Sequence, residues 1–318
     1  MIDVPWYYFV GFIAFVIAML LVDLKFFHTE AHTPTLKESS AWVAVWVSLA
    51  IVFGIGMWII EGGVAGGEFF AGYLIEYSLS VDNMFVFVLI FSYFQVPVAY
   101  QHQVLFFGIL GAMIFRGLFI FAGTALINSF EWVICIFGAF LIFTAFRIAF
   151  GSEEVHPENN PVLRFARKRL RTTTDFHGQK LFTIENGKRV ATPLFITLLF
   201  IEVTDIVFAV DSIPAIFSVT RDTFIVLTSN VFAILGLRAL YFLLAGSMNK
   251  LHLLKYGLAV ILAFVGVKML LESIHFEFPI WVSLSVIIGV LALTAALSFK
   301  FPPKEGRPLE GNTSNTPL

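Results

Sequence analysis

Charge is scarce in this chain, cysteine nearly absent, and a basic leader missing. Only 13% of its 318 residues are Asp, Glu, Lys or Arg, against roughly 25% in ordinary soluble domains. The composition is 58% apolar with a mean hydropathy of +0.88, which excludes a solvated globular domain. The single cysteine, Cys135, lies in an apolar run, so an intrachain disulfide and a cysteine-based metal site are both excluded. The opening Met-Ile-Asp-Val-Pro-Trp has no basic region, and no small-residue cleavage site follows. The first apolar segment therefore reads as a retained helix, not a signal peptide. What is abundant is phenylalanine, 38 residues of it, suited to lipid-facing and bundle-packing surfaces.

A helix needs about 20 apolar residues to cross a hydrocarbon core of ~30 Å. Nine segments qualify, at about 5–27, 41–60, 68–92, 104–127, 130–150, 192–218, 223–246, 255–274 and 279–299. The fold expected is an all-α membrane protein of about nine transmembrane helices. The stretch 151–190 carries Arg164, Arg167, Lys168, Arg169, Arg171, Lys180, Lys188 and Arg189, and the positive-inside rule makes it cytoplasmic. Lys25, Lys37, Lys250, Lys255, Lys300, Lys304 and Arg307 then fall on the same side, while Glu61, Glu68, Glu131, Asp222 and Glu277 fall outside with Arg221. The N-terminus is expected outside and the C-terminus in the cytoplasm. Such basic loops are topogenic and lipid-facing, so no nucleic-acid partner is expected; the bilayer is the partner.

Two acidic stretches inside the apolar segments resemble each other. One is Glu76-Tyr-Ser-Leu-Ser-Val-Asp82-Asn83; the other is Asp205-Ile-Val-Phe-Ala-Val-Asp211-Ser212. With Asp82 set against Asp211 the likeness continues: Arg116-Gly-Leu-Phe matches Arg238-Ala-Leu-Tyr, and Phe137-Gly138-Ala matches Val265-Gly266-Val. Each half holds three spans, an odd number, so the second half should run inverted relative to the first. The expected organisation is two peripheral helices in 1–60, a first repeat in 68–150, a basic cytoplasmic loop in 151–190, a second repeat in 192–274, a last helix in 279–299 and a disordered cytoplasmic tail in 300–318.

Carboxylates are costly within a bilayer and mark function there. On an unbroken helix, residues six apart point about 120° away from each other and lie ~9 Å apart along the axis. A local break would let the two acids of each motif converge, and Pro214 supplies a cause in the second by freeing the carbonyl of Val210. The oxygen donors on offer are Glu76, Asp82, Asn83, Glu202, Asp205, Asp211 and Ser212, with Asn230 as a further polar ligand or a bundle hydrogen bond. Hard oxygens suit Mn²⁺, Mg²⁺ and Ca²⁺. Arg116, Arg238 and Lys268 are the intramembrane bases, expected to pair with the acids or to gate. Glu76, Asp82, Glu202, Asp205 and Asp211 set against those three bases leave two negative charges. That balances one divalent cation, or two protons in its absence, and points to proton-for-metal exchange. The glycines of the fourth span, Gly108, Gly111, Gly117 and Gly123, are read as packing surface.

These residues resemble the two signature motifs of the TerC family of integral membrane proteins: Glu76 to Asn83, then Glu202-Val-Thr-Asp205 through Asp211-Ser212-Ile-Pro214, with Thr228-Ser-Asn230 through Arg238 in support. The likeness covers nearly the whole chain and lies closest to the Alx-like bacterial branch. It implies a multi-pass exporter of Mn²⁺ in the bacterial inner membrane, with the metal as substrate and no resident cofactor. One departure is Tyr77, where the family often carries Lys after the Glu. Sequence chemistry leaves Ca²⁺ and Mg²⁺ open as substrates, and a non-transporting metal sensor or scaffold as the other class. An intramembrane aspartyl protease also needs two Asp on separate helices, but neither Asp here sits in a Gly-x-Gly-Asp context; no enzyme is expected. The oligomeric state is not legible.

Overall fold

A computed structural model describes residues 5–27, 35–130, 132–151, 171–185, 187–245, 253–274, 276 and 278–301, the side chains of residues 23–27, 82, 85 and 245 excepted. The chain runs α1 (Trp6–Phe27), α2 (Leu36–Glu61), α3 (Gly63–Tyr93), α4 (Val98–Ser129), α5 (Val133–Phe150), β1 (Phe182–Glu185), β2 (Lys188–Ala191), α6 (Pro193–Phe217), α7 (Thr223–Leu235), α8 (Leu237–Ala245), α9 (Leu254–Glu272) and α10 (Ile280–Lys300).

Local chemistry sets several of these ends. Thr35 caps α2 in a capping box: its hydroxyl accepts from the Glu38 amide at 3.3 Å, and the Glu38 carboxylate accepts from the Thr35 amide at 2.7 Å. Asp222, expected as an outer-face charge, caps α7 by accepting from the amides of Phe224 and Ile225 at 3.0 and 3.2 Å. Pro193 opens α6 at its first turn, where its missing amide hydrogen costs nothing.

Seven of the described helices, α2 to α6, α9 and α10, are long and apolar enough to cross a bilayer. The expected segment 223–246 is two helices, α7 and α8, bent by 42° at Gly236, and as one broken span they make an eighth. The expected first span is helical as α1, but its apolar part among the described residues, Trp6–Val22, is shorter than the rest. The chain is an all-α membrane protein. The only strands among the described residues form a small hairpin, β1 with β2, in the stretch read from sequence as a plain loop. Its register pairs Glu185 with Lys188 across Asn-Gly, the dipeptide a two-residue turn favours. The basic residues at 152–170 and the tail from 302 lie outside the described residues.

The helices pack in a reciprocal pattern: α3 against α7, α4 against α6, and α5 against α9. Gly138 and Gly266 make the α5–α9 crossing. A Cβ on Gly138 would lie 2.9 Å from the Gly266 carbonyl oxygen, and one on Gly266 would lie 2.7 Å from the Gly138 oxygen. Only glycine allows backbones so close. The peripheral α1 and α2 join the bundle through an aromatic cluster, with Phe53 centred 4.8 Å from Phe232, 5.2 Å from Phe69 and 5.8 Å from Phe12. Large apolar side chains such as Phe143, Phe146, Phe150 and Val207 face outward, as lipid contact requires.

Candidate cation site

Both acidic motifs lie on unbroken helices, α3 and α6. The break expected at Pro214 does not occur. The proline stands three residues before the end of α6, where the helix continues to Phe217 without needing the bond it removes. The consequence is geometric. Asp205 and Asp211, six residues apart on a straight helix, point to different places and serve two separate clusters.

The first cluster is buried at the centre of the bundle. Arg116 of α4 is 1% exposed, Glu76 of α3 is 0% and Asp205 of α6 is 4%. The Arg116 guanidinium donates to both oxygens of Asp205, Nε to Oδ2 and Nη2 to Oδ1, each at 3.1 Å. Its Nη1 donates to Glu76 Oε1 and reaches Ser212 Oγ at 3.4 Å. A planar fork with five N–H donors is the one side chain able to hold two carboxylates this way. Desolvated charges survive at this depth because each has a partner.

The second cluster lines a cavity of about 210 Å³. Asn83 of the first motif and Asp211 and Ser212 of the second meet there, with Arg147 of α5. Asp211 accepts from Arg147 Nη2 at 2.9 Å and from Thr144 Oγ1 at 3.1 Å. Ser212 belongs to both clusters, since it lines the cavity and approaches Arg116. Asp82 lies on α3 beside Asn83, but its side chain is outside the described residues.

Glu202 stands one turn before Asp205, with its carboxylate pressed against Gly111 of α4; a Cβ there would overlap both oxygens. Its Oε2 has no hydrogen-bond partner among the described residues. Gly111, read from sequence as packing surface, is what makes room for this acid. Asn230 on α7 is 1% exposed, and neither its Nδ2 nor its Oδ1 finds a partner among the described residues. Arg238 is buried just past the bend at Gly236. Lys268 departs from the expected pairing with the motif acids. Its ammonium donates to the Ser218 carbonyl at 2.7 Å and pairs with Glu272 at 3.4 Å, one turn along its own helix.

Sequence reasoning missed Arg147 and Thr144. The signal was available, because residues three apart share a helix face and these two form a polar stripe at the end of an apolar span. Among the described residues no three His, Cys, Asp or Glu side chains converge as a ready-made metal cage. The arrangement is instead a chain of oxygen donors from α3 and α6 held by the arginines of α4 and α5.

The family model described as integral membrane protein TerC family matches residues 61–305. An uncharacterized membrane protein of Myxococcus xanthus, STKORF319, is 52% identical over 289 residues, covering 91% of this chain and 90% of that one. A protein of Escherichia coli K12 named membrane-bound redox modulator Alx is 48% identical over 294 residues, covering 89% of this chain and 91% of its own. The chloroplastic thylakoid membrane protein TERC of Arabidopsis thaliana is 47% identical over 262 residues, 82% of this chain and 67% of that one. No solved structure matches. With a family model matched over most of its length and relatives near half identity along nine-tenths of it, this chain belongs to the TerC family of integral membrane proteins.

Proposed function

We propose that the chain is a secondary transporter that exports divalent cations, Mn²⁺ foremost, from the bacterial cytoplasm across the inner membrane. The observation that carries the reading is the meeting of Asn83 with Asp211 and Ser212 in one cavity, next to the buried Glu76 and Asp205. Oxygen donors from two separate motif helices face a common space, the arrangement a midplane cation site requires. The donors are hard, and accept Mn²⁺, Mg²⁺ and Ca²⁺ alike; manganese comes from the family likeness. The reciprocal packing of α3 on α7 and α4 on α6 supports two structurally related halves. Gly138 and Gly266, matched in the sequence alignment of the halves, touch each other, as equivalent residues on a two-fold axis would. The relatives named redox modulators fit this reading. Export of a redox-active metal would alter a cell's redox state without a dithiol in the chain, which has one cysteine.

The test is manganese accumulation in cells stressed with Mn²⁺, comparing the native chain with Asp205→Asn and Asp211→Asn at matched expression. Low metal with the native chain and several-fold higher metal with both variants is the expected result. Equal manganese in all three would remove manganese export, and the same assay with Ca²⁺ and Mg²⁺ would then separate another substrate from a sensor or scaffold that moves none.

A further inference from the structure

We propose that Arg147 is the entry latch of the cation path, a tethered cation that holds Asp211 at the mouth of the cavity until an arriving divalent cation displaces it. The proposal rests on the transporter reading above and assigns a role to a residue outside both motifs.

The two arginines that hold motif acids are held differently. Arg116 is buried, grips Asp205 with two bonds, and also bonds Glu76. Arg147 makes one bond to Asp211, with 53% of its side chain exposed against 13% for the acid. An ion pair made by one bond, from a half-exposed side chain on a long flexible stem, is more readily exchanged than a buried two-bond grip. Its position suits exchange with the aqueous side. Arg147 stands in the last turn of α5, which ends at Phe150, and Gly151 just beyond also lines the cavity.

What remains when the guanidinium swings away is a set of cation ligands. Thr144 still donates to Asp211 Oδ1, which keeps the carboxylate oriented. Asn83 and Ser212 stand ready along the cavity wall with neutral oxygens. A divalent ion arriving at Asp211 repels the guanidinium bonded to the same carboxylate, because their charges are alike. The two therefore compete for Asp211, and entry of the ion loosens the arginine. The Gly138–Gly266 crossing holds α5 tightly to α9, so the latch hangs from a fixed post and only its side chain need move.

The test is Mn²⁺ uptake by proteoliposomes holding the purified full chain, measured against Mn²⁺ concentration for the native protein, Arg147→Gln, Arg147→Lys and Asp211→Asn. Removing the competing charge should lower the half-saturating Mn²⁺ concentration about five- to tenfold in Arg147→Gln, with the maximal rate kept within about twofold. Arg147→Lys should fall between native and Gln, and it supplies the measurement if the Gln variant does not purify as a single species. Asp211→Asn should lose uptake. An unchanged half-saturating concentration, or a fall in maximal rate alone, would overturn the latch and leave the transporter reading standing. Absence of Mn²⁺, Ca²⁺ and Mg²⁺ uptake by both native and Arg147→Gln protein would remove both.

Discussion

At the scale of single residues, the site is governed by which neighbour each charge meets. Arg116 bonds Glu76 and Asp205 together, one positive charge shared by two carboxylates, and Glu76 Oε2 has no hydrogen-bond partner among the described residues. Glu202 is different: its room is created by the absence of a side chain at Gly111. Gly111→Ala should therefore push the Glu202 carboxylate aside and lower cation transport by roughly tenfold or more. Gly117→Ala, on the same helix with nothing within 4 Å of its Cβ, should transport normally at equal expression. Transport assays on the two alanine variants compare a lost acid position with ordinary helix packing; equal activities would mean that the position of Glu202 is immaterial. The acids themselves were legible in the sequence, because a carboxylate inside an apolar span stands out. Their partners were not. Whether Lys268 meets a motif acid or Glu272, and whether Arg147 faces lipid or Asp211, depends on the rotation of each helix about its axis, which hydropathy does not record.

At the scale of elements, the long apolar runs of α2 to α6, α9 and α10 reproduce closely the segments expected, since length and apolarity alone define a span. The breaks are where expectation and structure part. Pro214, near the end of α6, has almost no helix left to disrupt, whereas the bend falls at Gly236, where Trp46 of α2 packs against the glycine. The hairpin at 182–191 was not expected: the stretch was read by its basic charge alone, although the sequence holds Asn-Gly, a dipeptide that two-residue turns favour, between the two strands. The α5–α9 crossing gives the prediction proper to this scale. Gly138→Ala and Gly266→Ala each set a methyl group within 3 Å of the opposing backbone. Each should cost about 1–3 kcal/mol of stability, read by thermal unfolding in detergent. The double variant should cost less than the two combined, because helices pushed apart once have already made space for the second methyl. Gly289→Ala, whose Cβ would meet nothing within 4 Å, is the control.

At the scale of the whole molecule, charge distribution gives a testable orientation: the basic stretch between α5 and α6 in the cytoplasm and the α6–α7 turn outside. In a Cys135→Ala background, Arg171→Cys should label only in permeabilised cells, and Arg221→Cys from the outside of intact ones. Both positions are exposed. The reverse pattern would invert the direction proposed for transport. The pairing of α3 with α7 and α4 with α6 was visible in the sequence only as internal similarity, which suggests that halves correspond without saying which helices touch. One contact has a mechanical meaning. Where Gly138 and Gly266 meet, backbone bears on backbone, and the side chains of Leu270 and Ile142 close over the two glycines from the opposing helices. Such a joint resists separation, sliding into a new register and twisting alike. It is built as a clamp: α5 and α9 would travel as one unit, and any rocking of the motif helices over the cavity would be movement past that unit.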